Sequence, residues 1–134
     1  MSAQFWVFIS ALFGGLGVVA GAIGAHSLPD AASVDGTLQQ AFRTAQHNHA
    51  VHAVALLGLA LLMRQSEGYR AAFSSCAMQV SAAAFSIGIV LFSGGIYAHV
   101  MGGFASAVKF VPVGGSFLIA GWAALALAAL GLRF

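Results

Sequence analysis

The chain has 134 residues and a net charge of +2; only 6% of its residues are charged and 60% are hydrophobic, giving a mean hydropathy of +0.95. So few charges cannot solvate the surface of a water-soluble fold, and the composition points to a protein whose solvent is lipid. The five Lys and Arg are scattered, with no basic run and no aromatic-basic stripe, so nothing supports nucleic-acid binding. Crossing a hydrocarbon core takes roughly 20 apolar residues per helix. Residues 1–134 therefore read as one domain of four spans, with no room for a soluble domain.

The first uncharged stretch runs from Phe5 to Gly24. Ala20-Gly21-Ala22 imitates a signal-peptidase site, but no Lys or Arg precedes the apolar run, and the segment is expected to stay as a first helix. Ser27-Leu28-Pro29-Asp30 and Asp35-Gly36 supply turn chemistry. Thr37 and Gln40 then form a possible capping box, and Leu38, Ala41, Phe42 and Ala45 recur at helical spacing opposite Gln39, Gln40, Arg43 and Gln46. That pattern predicts an amphipathic lead-in at the membrane interface, continuing into a second span from about Gln46 to Met63.

The charged break from Arg64 to Arg70 predicts a tight hairpin. The next uncharged stretch, Ala71 to Val108, exceeds one crossing, so its helix should end near Tyr97 or His99, with Met101-Gly102-Gly103 opening a loop that reaches Lys109. Val111-Pro112 starts a fourth span that ends at Leu132, proline being tolerated in a first turn. The expected fold is an all-α, integral membrane bundle of four transmembrane helices with a short amphipathic interfacial helix before the second span. Arg64, Arg70 and Arg133 outnumber Arg43 and Lys109 on the opposite side, which favours cytoplasmic termini.

Small residues carry the packing argument. Gly17, Gly21 and Ala25 lie four apart, with Gly14 and Gly24 nearby, and Ala120, Ala124 and Ala128 make a second stripe. Such stripes let helix backbones approach closely, and packing inside the bundle is favoured over a homodimer face. Cys76 has no cysteine to pair with and is expected to pack as a small apolar residue.

The five histidines are the concentrated chemical signal. His26 ends the first span, His47, His49 and His52 open the second, and His99 ends the third, all toward one side of the membrane. Imidazoles converging from three helices could hold a metal, haem or quinone head group, with His26, His52 and His99 as the candidate ligands or hydrogen-bond donors. Helical geometry puts His49 and His52 on one face and turns His47 away, which spoils a metal box. His52 lies deepest and needs a partner, for which His26, His99, Tyr97 or the backbone near Gly94 and Gly95 are available; the simpler reading is a neutral imidazole tying two helices together. Gln79, Ser86 and Ser93 form a polar stripe suited to the same role.

No Asp, Glu, Lys or Arg falls in the middle of a span, which argues against a carboxylate relay for transport. Paired carboxylates, a nucleophile elbow, a P-loop and a dinucleotide fingerprint are also missing. The chain is expected not to be an enzyme and to need no cofactor.

Several blocks resemble a known family, the small YgdD-like bacterial inner-membrane proteins, whose domain has no assigned function and which have short eukaryotic relatives. They are Gly21-Ala22-Ile23-Gly24-Ala25-His26, Phe42-Arg43-Thr44-Ala45 followed by His52-Ala53, Leu91-Phe92-Ser93-Gly94-Gly95-Ile96-Tyr97, and Pro112-Val113-Gly114-Gly115 leading to Ala120-Gly121-Trp122. The blocks touch all four spans in order. His26, Thr44, His52, Ser93, Tyr97, Pro112 and Trp122 fall on the family's pattern. His47-Asn48-His49 departs from its usual Gln-Tyr-Gln type stretch, and Val111 stands where threonine is common. The resemblance implies a four-helix inner-membrane protein and brings no activity. The expected role is a non-enzymatic accessory or assembly subunit, embedded in the lipid bilayer and bound to itself or to a larger membrane complex. A ligand-handling protein built on the histidines is the alternative.

Overall fold

The computed structural model describes residues 1–27, 36–65 and 72–130. The expected turns after Ser27 and around Glu67, and the end of the fourth span, lie outside the described residues. Helix α1 covers Ala3–Ser27, α2 Gly36–Gln65 and α3 Ala72–Gly88. A π-helical segment, Ile89–Gly94, follows α3 and leads into α4, Gly95–Gly102. Gly88 and Gly95 both keep right-handed helical dihedrals, so α3, the π segment and α4 form one rod. A 3-10 turn, Ala105–Phe110, then enters α5, Val111–Ala129.

The described residues are thus all-α, and among them three helical stretches are long and apolar enough to cross a membrane: Ala3–His26, Ser75–Gly102 and Ala105–Ala129. The second helix is not among them. Gln46, His47, Asn48, His49 and His52 dilute its apolar residues, although it is 30 residues long and unbroken. The amphipathic lead-in is therefore no separate element but the first turns of α2. Thr37 sits inside that first turn, one residue past Gly36, and not at a cap.

The third helix reaches Gly102, slightly beyond the expected Tyr97 or His99, and its end shows why Met101-Gly102-Gly103 reads as a stop. Gly103 takes the left-handed φ of 70°, where a side chain would be strained. Its N–H donates to the His99 carbonyl at 3.0 Å and that of Phe104 to the Ala98 carbonyl at 3.1 Å, satisfying carbonyls the helix end leaves open. The stretch on to Lys109 is a 3-10 turn where a plain loop was expected. Pro112 lies in the first turn of α5, where its missing N–H costs nothing.

Packing follows from glycine. Along α5, a Cβ on Gly114 would strike the backbone of Leu91 and Phe92, one on Gly121 would come within 2.6 Å of the Phe85 ring, and one on Gly88 would hit Leu118. These pairs fix an antiparallel register between α5 and the α3–α4 rod. On α1, a Cβ on Gly17 would touch the His49 ring at 3.6–3.7 Å, one on Gly21 would strike Gln46 and one on Gly24 would strike Phe42. Helices α1 and α2 are therefore antiparallel too, and the α1 stripe serves the inside of the bundle. Two details of the expected stripes differ: Ala25 and Ala120 are exposed, and Gly114, Leu118, Gly121, Ala124 and Ala128 form the inner face of α5.

Trp6, Leu56, Met63, Met78, Phe85 and Leu118 fill the core between the helices. Outward, Phe8, Val18, Val54, Ile119 and Leu130 are largely exposed, the inverted surface a lipid solvent allows. Cys76 is a free thiol, exposed near the start of the rod. Since the backbone opposite Gly114 cannot swing away, Gly114→Leu should cost about 1–3 kcal/mol. Gly58→Leu, at a glycine with open space around it, should be close to neutral when both are compared by thermal unfolding in detergent.

Candidate functional site

Polar side chains on α2 follow the helical repeat from the interface inward. Thr44 Oγ1 donates to the Gln40 carbonyl at 2.9 Å, and Asn48 Nδ2 to the Thr44 carbonyl at 2.9 Å. His52 Nδ1 lies 2.8 Å from the Asn48 carbonyl. A carbonyl only accepts, so Nδ1 carries the His52 proton. Nε2 then accepts from Trp122 Nε1–H at 3.0 Å. Both nitrogens of this buried imidazole are used, and the ring sits 5.4 Å from Phe85 and 6.0 Å from Trp122, with Phe85 and Trp122 5.1 Å apart. His52 is a hydrogen-bonded clamp between α2 and α5.

Its partners are not those expected. His26, His99, Tyr97 and the Gly94–Gly95 backbone are replaced by Asn48 and Trp122, because α2 and the rod run antiparallel and His52, nearly one turn deeper than His49, meets the rod at Phe85. An indole N–H in an apolar span needs an acceptor, and that was the signal for Trp122. His26 is exposed in the last turn of α1 and His47 is exposed on α2, whereas His99 is half-buried, its Nδ1 without a hydrogen bond. Among the described residues no three His, Cys, Asp or Glu side chains come together as a metal site. All five histidines do lie toward the end where α1 stops, α2 starts and α4 stops.

His49 occupies a different position from His52. It is 5% exposed, faces Gly17 across the α1–α2 contact, and has the Phe13 ring edge-on at 6.0 Å. Tyr97 brings its hydroxyl 3.5 Å from Nδ1 and its ring 5.3 Å from Phe42. Nε2 makes no hydrogen bond. His49 and His99 thus each keep one buried ring nitrogen without a hydrogen bond.

Elsewhere, hydroxyl groups tie helices directly. Ser10 donates to the Ala53 carbonyl at 3.0 Å, Ser81 to Gly121 at 2.8 Å and Ser93, from the π segment, to Ala45 at 2.8 Å. At the opposite end Gln79 accepts from Trp6 Nε1–H and donates to the Met1 carbonyl, each at 2.8 Å. Gln79 and Ser93 act as the expected glue; Ser86 instead bonds within its own helix to Ala82. Ser10, Ser81 and the π segment had no signal in composition. Removing the indole donor by Trp122→Phe should cost about 1 kcal/mol. His52→Ala should then cost less in that background than in the native chain; additive losses in a double-mutant cycle would rule the clamp out.

Comparison with known proteins finds inner-membrane proteins among the relatives of this chain. No solved structure matches the chain. It is 30% identical over 134 residues to the UPF0382 inner membrane protein YgdD of Escherichia coli K12, covering 99% of this chain and 95% of that protein. The Shigella flexneri protein of the same name matches at the same identity and coverage. Residues 20–115 match the family model described as a protein of unknown function, DUF423. That segment holds His26, His49, His52, the π segment and Tyr97, and it stops short of Trp122. The chain therefore belongs to the DUF423 family of membrane proteins of unknown function.

Proposed function

We propose that this chain is a multi-pass protein of the bacterial inner membrane, with α2 as a fourth span, and that it serves as a non-enzymatic accessory or assembly subunit. The inner-membrane location is supported by the names of its relatives. The fourth span is supported by enclosure: α2 buries His49, His52, Leu56, Leu59 and Met63 against α1 and the rod, so its polar groups need not meet lipid. Cytoplasmic termini remain the orientation that the basic residues favour.

The observation that carries the subunit reading is the unused part of α1. A Cβ on Gly14 or Gly15 would meet nothing within 4 Å, although Gly17, Gly21 and Gly24 are all filled from inside. Gly14 lies in a groove of about 400 Å³ with Ala11, Val18, Ala50 and Val54. That is the small-residue surface on which a further helix, from a second copy or from a larger complex, can approach closely. The alternative built on His26, His52 and His99 gains no support from their placement, since His52 has both nitrogens engaged and His26 is exposed.

Extraction in mild detergent, followed by mass spectrometry of everything that co-purifies, tests the proposal. A stoichiometric partner or a homo-oligomer should accompany the native chain and be lost from Gly14→Leu, whose own fold should be unaffected. A native chain that runs as a lone monomer, indistinguishable from that variant, would overturn it.

A further inference from the structure

The uncharged run from Phe5 to Gly24 rises about 30 Å at about 1.5 Å per residue, the thickness of a hydrocarbon core. The last turn of α1 therefore stands where acyl chains give way to headgroups. Opposite it, α2 brings a polar face, since the spacing of Gln39, Arg43 and Gln46 puts all three on one side of the helix. With Gly21, Gly24 and Ala25 of α1 they line a cleft of about 200 Å³. Pockets for whole small molecules begin at about 300 Å³, so this space suits a single compact group.

The cleft is rich in free donors. Arg43 is exposed, and among the described residues its guanidinium has neither a hydrogen-bond partner nor an acid beside it; Asp30, Asp35 and Glu67 all lie outside them. The side-chain amides of Gln39 and Gln46 are also without hydrogen bonds there. A planar guanidinium matches two phosphate oxygens at once, and each amide adds N–H donors. On the α1 side glycine keeps the wall low, since a Cβ on Gly21 would strike the Gln46 amide and one on Gly24 the Phe42 ring. Gln46 also lines the apolar groove that runs on to Ala50 and Val54, so a phosphate seated here has its ester chains led into lipid. Lys109 is exposed at the same end, and no described carboxylate is there to answer the ammonium of a choline or ethanolamine headgroup.

We propose that this cleft seats the phosphate diester of an anionic phospholipid, with Arg43 as its charged ligand and Gln39 and Gln46 as hydrogen-bond donors. The charge selects an anion, the donors select acceptor oxygens, the volume selects a group of phosphate size, and the depth sets it at the headgroup level. The cleft lies about two turns nearer the interface than Gly14 and does not depend on a partner helix there.

The test is native mass spectrometry of the full chain released from nanodiscs that hold phosphatidylglycerol and phosphatidylcholine in equal amounts with matched acyl chains, bathed in glycerol phosphate. The native protein should retain one phosphatidylglycerol per chain, preferred about fivefold over phosphatidylcholine. Arg43→Gln should abolish that preference, whereas Lys109→Gln, which removes a charge at the same end but outside the cleft, should leave it unchanged. Ala25→Phe fills the cleft from α1 with Arg43 intact and should lose the preference too; it decides the matter should Arg43→Gln fail to fold. No preference in the native chain, an equal loss in Arg43→Gln and Lys109→Gln, an undiminished preference in Ala25→Phe, or glycerol phosphate retained in the lipid's place would overturn the proposal.

Discussion

A helix carrying Gln46, Asn48, His49 and His52 is stable in hydrocarbon only when other protein surfaces answer its polar groups, and the proposed four-span bundle is arranged around that requirement. Helix α2 is the element that α1, α3, the π segment and α4 all touch, and its hydrogen bonds run inward from Gln40 through Thr44 and Asn48 to His52 and Trp122. On the four-span reading water does not reach the buried part of α2, and Thr44, Asn48 and His52 are answered there by carbonyls and an indole. The more apolar helices α1 and α5 can then turn long faces to lipid.

Glycine makes those answers possible. Hydroxyl-to-carbonyl bonds between helices, such as Ser81 to Gly121 and Ser93 to Ala45, require backbones to come closer than ordinary side chains permit. Gly114 against the Leu91–Phe92 backbone and Gly121 against the Phe85 ring provide that approach. Without a hydrophobic drive between helices in lipid, dispersion contacts at such seams supply much of the association energy. The π segment adds about a residue per turn where α5 and α2 both press on the rod, and it directs Ser93 to the Ala45 carbonyl of α2.

Much of this was legible in residues. Three apolar spans were legible in their length, Met101-Gly102-Gly103 marked the stop that the third helix reaches about a turn later than expected, and the spacing of His49 and His52 put them on one face of α2. The inner use of Gly17, Gly21 and Gly24 matched the preference for packing within the bundle. What one sequence could not give was registration between helices: nothing local says that His52 lies beside Trp122, or that His49 reaches Tyr97. The candidate set of His26, His52 and His99 left out His49, which lies in the stretch that departs from the family pattern. The π segment was also invisible, since Ile89–Gly94 has the composition of an ordinary span.

The account rests on α2 crossing the membrane in spite of its polar residues. Single cysteines placed at Gln40 and at Gln65 in a Cys76→Ser background, probed with a membrane-impermeant thiol reagent in intact spheroplasts and in inverted vesicles, test that directly. The two positions should label from opposite sides. Labelling of both from the same side would mean that α2 lies along the interface, and the enclosed four-span bundle would be wrong.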